Sequence, residues 1–272
     1  MPPARLALYA ATAGALATSA YAVVRHPPPI GWAAALLFGY VTLLLSGVLV
    51  LRWSVFVDAV VRGPRGSRGI VLTFDDGPHP EWTPRILDVL KRYGATATFF
   101  VVGHKVDRHP EVVRAIAEGG HAVGLHSYAH DRLFSLRGER RVKDDLEHGL
   151  EALERALGQR PHLFRPPIGH TNPTIARVVE ALGLVVVGWT IGGRDGLARA
   201  RPADVVARVR RDLRDGAIIL LHDAPERGER EPAAVRALPA ILDAIAAKRI
   251  PVVSLSEWIP AAAVQSGAGS TT

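Results

Sequence analysis

Two adjacent carboxylates, Asp75 and Asp76, follow an apolar run that ends at Phe74, and Gly77 and Pro78 come directly after them. The apolar run predicts the end of a buried strand, and Gly-Pro predicts an immediate turn. Two like charges side by side are costly unless a cation or a proton lies between them. A metal site removes that cost, because one Asp can bind the metal while its neighbour remains free as a base. Taken alone, the motif would favour a solvated turn with an Asx cap.

Five more polar side chains lie at or just after the ends of later apolar runs. They are His126, His130, Arg165, Asp195 and His222. Two histidines four residues apart are often structural when they occur alone. Together with an acidic pair at a neighbouring strand end, they indicate a site with two imidazole ligands and one carboxylate ligand, which leaves a position open for water. The chain has no cysteine, so disulfides and thiolate chemistry are excluded.

Seven apolar runs that alternate with amphipathic helices would position these side chains. The predicted strands are residues 69–74, 95–102, 122–126, 162–165, 184–190, 217–222 and 251–255. The predicted helices are residues 83–93, 110–118, 140–157, 173–182, 202–213 and 232–248, the last with a kink or restart at Pro239. The alternation predicts an α/β architecture of parallel strands, and a barrel is favoured because no Gly-rich dinucleotide loop follows the first strand. In such barrels catalytic residues collect at the carboxyl ends of the strands, where the candidates lie.

Two long uncharged segments, residues 6–24 and 30–51, precede this region and are separated by a Pro-rich break. Each is long enough to cross a bilayer, which takes about 20 helical residues. We interpret the second as a transmembrane helix. The first is a second span, a signal-like segment or a surface helix, and we expect it to be retained because no clear cleavage site is present. Residues 53–61, apolar with one Asp, are expected at the membrane interface.

The expected organisation is a membrane anchor over residues 1–62, a linker over 63–68, a catalytic domain over 69–258 and a flexible tail over 259–272. Charge counting would keep the domain inside the cell, but large domains translocate largely regardless of such charges. We expect an extracytoplasmic domain.

The formal net charge of the 272 residues is +7, and the basic residues are scattered. No recognition helix, zinc finger or aromatic-basic platform is evident, which argues against nucleic-acid binding. The charge favours anionic lipids or an anionic envelope polymer. The charged run at residues 226–231 is interpreted as a solvated loop at the edge of the substrate groove.

Over residues 69–258 the chain resembles the polysaccharide deacetylases of carbohydrate esterase family 4, which carry the NodB homology domain. Five motifs occur in the family's order. They are Thr73–Pro78, His126–His130, Arg165–Gly169, Trp189–Asp195 and Leu220–His222. The resemblance implies a distorted (β/α)7-type barrel of parallel strands, and the two long uncharged segments add one or two transmembrane helices before it.

The resemblance also implies a role for each motif residue. It makes Asp75 the catalytic base, His222 the general acid, Arg165 the residue that holds the base and Asp195 the residue that tunes His222. It makes Asp76, His126 and His130 the ligands of Zn²⁺ or another divalent transition metal. Ile168 would supply an oxyanion-hole N–H, Leu220 would line the acetyl pocket, and Trp189 would contribute to substrate binding.

Two positions depart from the family's pattern. Ile168 stands where Tyr is usual, which alters the groove but keeps the backbone N–H. Gly196 stands where Trp is usual, which opens one wall of the pocket and puts substrate size in doubt.

The resemblance implies a metal-dependent hydrolase that removes N-acetyl or O-acetyl groups from a carbohydrate, such as an N-acetylglucosamine-containing envelope polysaccharide or peptidoglycan, and releases acetate. One alternative is a deacetylase or deformylase of a lipid-linked sugar at the membrane. Another is a non-catalytic sugar-binding module.

Overall fold

The structure is a computed structural model that describes residues 1–259, so most of the expected tail, from residue 260 onward, lies outside the described residues. Its sheet has eight parallel strands in the order β1-β6-β5-β4-β3-β2-β8-β7. These are β1 (Ala59–Val60), β2 (Ile70–Asp75), β3 (Thr98–Val101), β4 (Ala122–Leu125), β5 (Leu163–Phe164), β6 (Val185–Val187), β7 (Ile191–Gly192) and β8 (Ala217–His222). The parallel α/β barrel-type fold is confirmed.

Nine α-helices accompany the strands within the described residues. They are α1 (Pro3–Val24), α2 (Ile30–Leu49), α3 (Trp82–Tyr93), α4 (Gly103–Arg108), α5 (Pro110–Glu118), α6 (Glu139–Leu157), α7 (Pro173–Ala181), α8 (Pro202–Asp212) and α9 (Ala233–Ala247). Helix α4 was not predicted, and α9 continues through Pro239 without a restart.

The curled sheet closes where the chain passes from β6 to β7. The Gly188 N–H donates to the Val60 carbonyl at 2.9 Å, and the Thr190 N–H donates to the Ile218 carbonyl at 3.0 Å. Residues 188–190 therefore bridge the two edges of the sheet. This crossing explains why the predicted strand 184–190 is shorter and is followed by a separate strand β7.

Alternating residues of the strands fill the barrel. Val71, Phe100, Leu163, Val187 and Ile218 form one buried cluster. Because side chains alternate along a strand, the residues that continue this inner face in β2 are Thr73 and Asp75.

The prediction of a seventh strand over residues 251–255 is wrong. Only Val252 makes a parallel bridge, with Ile70. A 3₁₀ turn begins at Leu255, capped by the Ser254 side chain. This turn places Leu255 and Trp258 in the inner cluster, so the segment plugs the barrel instead of extending the sheet.

The N-terminal helices form a hairpin whose apolar side chains are mostly exposed. Both are long and apolar enough to cross a membrane, by length and composition. Arg5 joins α1 to the following segment by donating to the carbonyls of Val55 at 2.8 Å and Ser54 at 3.1 Å. The strand Ala59–Val60 pairs with Val186 and Val187, so residues expected in the anchor contribute an edge strand to the sheet.

Candidate active site

Asp75 is held from inside the barrel by a fully buried arginine. The Nη1 atom of Arg165 donates to Asp75 Oδ1 at 2.7 Å and to Thr73 Oγ1 at 2.8 Å. Its Nε and Nη2 donate to the carbonyls of Val187 and Gly188 at 3.1 and 3.0 Å. Burial lowers the pKa of the Arg165 guanidinium, and the Asp75 carboxylate opposes that effect. One oxygen of Asp75 is thus fixed while Oδ2 remains available.

Asp76 points into a different environment, although it is the next residue. Its φ of 74° is left-handed, which turns the chain as β2 ends. Gly77 follows, and a Cβ there would lie 2.2 Å from Asp223 Oδ2, so the close approach requires glycine. This sharp turn separates the two carboxylates that the sequence places side by side.

Asp76, His126 and His130 form a buried group whose ligand atoms all lie within 4.8 Å of one another. The Asp76 Oδ1 atom is 3.2 Å from His130 Nε2 and 3.6 Å from His126 Nε2. His126 Nδ1 lies 2.7 Å from the Arg165 carbonyl, which can only accept, so Nδ1 carries a proton and Nε2 faces the Asp76 carboxylate.

His130 is also suited to ligation. Burial and the neighbouring His126 lower the pKa of the His130 imidazole to about 4, so it is neutral near pH 7. One carboxylate and two imidazoles match the donors that catalytic zinc sites use. The residues therefore fit a metal ion.

His222 and Asp195 form a second pair across the site. His222 Nδ1 lies 3.1 Å from Asp195 Oδ1, and the His222 backbone N–H donates to Asp195 Oδ2 at 2.7 Å. Burial lowers the pKa of the His222 imidazole, but the charge and hydrogen bond of Asp195 outweigh burial and raise that pKa to about 10. The pair can therefore present a protonated imidazole to a leaving group.

Ile168 lies in a 3₁₀ turn (Pro167–Gly169) with φ 51° and ψ 9°, a rare conformation for a β-branched residue. Such strain is often found at functional sites. Within residues 1–259, the Ile168 N–H has no protein acceptor. This backbone group is therefore free to bind a developing oxyanion.

The other two predicted substrate-binding residues differ in position. Leu220 is half-buried and continues the inner face of β8 towards His222. Trp189 lies beneath the turn, because a Cβ on Gly169 would be 2.5 Å from its ring, and the Arg165 guanidinium is 5.7 Å from its centre. The structure thus gives Trp189 a packing role. At Gly196, a Cβ would lie 3.2 Å from the His222 ring, so the glycine backbone approaches the imidazole closely and a side chain there would crowd it.

Sequence reasoning missed the residues that support the ligand loops. Lys105 Nζ donates to the carbonyls of Asp76 at 2.7 Å and Pro225 at 2.9 Å. Asp145 accepts the N–H groups of Tyr128 and Ala129 at 2.8 and 3.1 Å. Lys105 lies on the unpredicted helix α4, and Asp145 looks like one more acid on a charged helix, so neither carried a sequence signal.

The charged run at residues 226–231 was interpreted as a solvated loop, and this interpretation is wrong for Glu226. Glu226 is largely buried, and its Oε1 lies 3.7 Å from His130 Nδ1 and 2.6 Å from Arg132 Nε. The loop therefore reaches a candidate metal ligand.

A curled parallel sheet with this acidic pair, two imidazoles and a His–Asp pair at its carboxyl edge is the architecture of a carbohydrate deacetylase. The family model for polysaccharide deacetylases matches residues 62–187. The chain is 33% identical over 198 residues to a peptidoglycan-N-acetylglucosamine deacetylase of Bacillus cereus, covering 72% of this chain and 90% of the relative. This protein belongs to the polysaccharide deacetylase family and is a hydrolase of the carbohydrate deacetylase class.

Solved structures of related proteins have the same fold. The Bc1960 peptidoglycan N-acetylglucosamine deacetylase superposes with a TM-score of 0.68 at 30% identity, covering 73% of this chain and 91% of that one. BA3943, a CE4 family pseudoenzyme from Bacillus anthracis, superposes with a TM-score of 0.66 at 25% identity, covering 73% and 67%. Because the same fold carries enzymes and a pseudoenzyme, the argument for catalysis depends on the side chains of this chain.

Proposed function

We propose that this protein is a membrane-anchored, zinc-dependent deacetylase that removes N-acetyl groups from an N-acetylglucosamine-containing glycan of the cell envelope and releases acetate. The supporting observation is the placement of Asp75 between Arg165 and the Asp76–His126–His130 group. Similarity to peptidoglycan-N-acetylglucosamine deacetylases supports the substrate class. The α1–α2 hairpin supports membrane anchoring, with the catalytic domain outside the cytoplasm.

Asp76, His126 and His130 would hold the metal, and a bound Zn²⁺ supplies a Lewis acid that polarises the amide carbonyl and acidifies water. Asp75 is the general base. Its Oδ1 is occupied by Arg165, so Oδ2, 3.9 Å from His126 Nε2, accepts the proton of the attacking water. The fixed carboxylate needs no reorientation during the reaction.

Ile168 stabilises the developing negative charge, and His222 supplies the proton for the leaving group. The free Ile168 N–H donates to the oxyanion that develops as water attacks the carbonyl carbon. Asp195 occupies His222 Nδ1, so Nε2–H is the donor that protonates the leaving amine as the C–N bond breaks. Water and the amide thus become acetate and a free amino sugar.

Acetate release by the full chain in detergent micelles tests this proposal. The substrates are N-acetylated peptidoglycan and an N-acetylglucosamine tetramer, with chelator-treated protein and zinc-restored protein run side by side. We expect release only with zinc. No release from either substrate by protein that has bound zinc would contradict the proposed activity.

A further inference from the structure

A small cleft of about 210 Å³ lies beside the Ile168 turn. One wall is formed by Leu49, Val50 and Leu51, where helix α2 ends, and the opposite wall includes Ile168 and Trp189. The cleft thus joins the end of a membrane-type helix to the residue that carries the free N–H. None of the acid–base groups described above lines it.

The cleft is built into the fold and is not a gap between independent parts. The Thr171 N–H, just after the Ile168 turn, donates to the Val48 carbonyl in the last turn of α2 at 3.1 Å. Leu51 is buried, and a Cβ on Gly188 would lie 3.2 Å from its side chain. The helix end and the active-site turn are therefore held against each other.

The lining indicates an amphiphilic occupant. Its walls expose polar and apolar surface in about equal parts, and its volume has room for about seven groups of the size of water or methylene. Arg52 also lines the cleft with an exposed guanidinium, and within residues 1–259 no carboxylate forms an ion pair with it. A cleft that combines apolar side chains with polar groups and a cation, at the end of a membrane-type helix, suits the start of a lipid chain next to a phosphate group.

We infer that the cleft binds the lipid-side portion of a glycan that is anchored in the membrane through a phosphate linkage. The enzyme then acts on membrane-anchored saccharides in preference to finished, lipid-free polymer. This inference rests on the proposed deacetylase function and specifies the form in which the substrate arrives. Arg52 would contact the phosphate, while the sugar extends past Ile168 to Asp75.

Kinetics with matched substrates provide the first test. The probes are N-acetylglucosamine linked by pyrophosphate to a polyprenyl chain, and the same sugar pyrophosphate without the chain, both given to the zinc-loaded full chain in micelles. Burying about two methylene equivalents predicts a kcat/KM about tenfold higher for the lipid-linked probe. Equal kcat/KM values would overturn the inference.

The sequence offers a matched pair of variants. Leu49 and Leu45 are one turn apart on α2 and both 55% exposed, but only Leu49 lines the cleft. We expect Leu49→Trp to abolish the preference for the lipid-linked probe without changing kcat/KM for the lipid-free one. Leu45→Trp should change neither value. Equal effects of the two substitutions would contradict a site at the cleft.

A binding measurement separates this inference from the proposed activity. The natural chain has no cysteine, so Leu49→Cys and Leu45→Cys each introduce a unique thiol. We expect polyprenyl phosphate to slow maleimide labelling of the Leu49→Cys protein about tenfold and to leave the Leu45→Cys protein unaffected.

Equal protection of the Leu49→Cys thiol by phosphatidylglycerol would show ordinary lipid contact and overturn the inference. Lack of protection, with lipid-free glycan still deacetylated, would overturn the inference alone, whereas failure to deacetylate any substrate would overturn the proposed function and this inference with it.

Discussion

At the scale of single residues, Asp75 and Asp76 illustrate how neighbours in sequence acquire different chemistry. Asp75 continues the inner face of β2 and meets the buried Arg165 at 2.7 Å. Asp76 has a φ of 74° and meets His130 at 3.2 Å. One carboxylate is ion-paired with a guanidinium, while the other faces the Nε2 atoms of His126 and His130. Among residues 1–259, no Lys or Arg gives the Asp76 carboxylate a counter-charge at ion-pair distance. A divalent cation would supply that charge, which is the physical reason to assign the metal to Asp76 and the base to Asp75.

The His222–Asp195 pair predicts a pH dependence. In the metal-free protein His222 stays protonated up to a pKa of about 10, so its contribution to stability is fully present below its ordinary value near 6.5. That contribution is lost as the pH rises through 10. In Asp195→Asn the largest raising effect is lost while burial still lowers the pKa and Asp76 and Asp75 still raise it, so we expect the His222 pKa to fall well below 10. An NMR titration of the imidazole measures both values, and an unchanged pKa in the variant would contradict the pairing.

Lys105 predicts an effect on metal affinity without contacting the metal. Its ammonium holds the main chain of Asp76 and Pro225, so Lys105→Met should loosen the ligand loop. We expect zinc affinity to fall about 10–100-fold, as is usual when a group that orients a ligand is lost. Competition with a zinc indicator measures this. Lys91→Met, at an exposed position of α3, is the matched control and should bind zinc like the wild type.

At the scale of elements, the boundaries of the six helices predicted after residue 69 were correct to within one residue because local residues determine them. Pro110, Pro173 and Pro202 each stand at the first helical position, and Gly94 and Gly158 end helices in the left-handed conformation. The motif residues were also recognisable, since their types and their places at strand ends are readable from sequence.

Strand content was less predictable because it depends on distant partners. Val253 and Leu255 are as apolar as any strand residue, yet they pack inside the barrel instead of extending the sheet. Val60 becomes a strand residue only because Val187 is available beside it. Glu226 and Lys105 act at the site through contacts across the fold, which no local pattern reveals.

The edge strand predicts where a stable soluble fragment begins. A fragment starting at Arg65 lacks β1 and the core side chains of Leu51 and Val57, whereas one starting at Val50 keeps them. At about 1.5–3 kcal/mol for each buried aliphatic side chain, the longer fragment should be more stable by several kcal/mol. Urea unfolding of the two fragments compares their free energies. Equal midpoints would show that residues 50–64 contribute nothing to the fold.

At the scale of the whole molecule, the α1–α2 hairpin and the barrel that follows it lead to a prediction of membrane topology. With two spans and the 25–29 break inside the cell, we expect the catalytic domain to lie outside. Leu197 is 60% exposed beside the site, so Leu197→Cys should react with a membrane-impermeant maleimide in intact cells. His26→Cys, in the break between the helices, should react only after permeabilisation. The reverse pattern would place the catalytic domain in the cytoplasm.

The central claim is that Asp75 acts as the base without holding the metal. It is tested most directly by acetate release from zinc-loaded Asp75→Asn protein with its zinc content determined on the same sample. We expect zinc to remain bound through Asp76, His126 and His130 while the rate of acetate release falls about 10²–10⁴-fold. Zinc retention with an unchanged rate would contradict the role of Asp75 as base. Loss of zinc would contradict the assignment of the metal to Asp76 and not to Asp75.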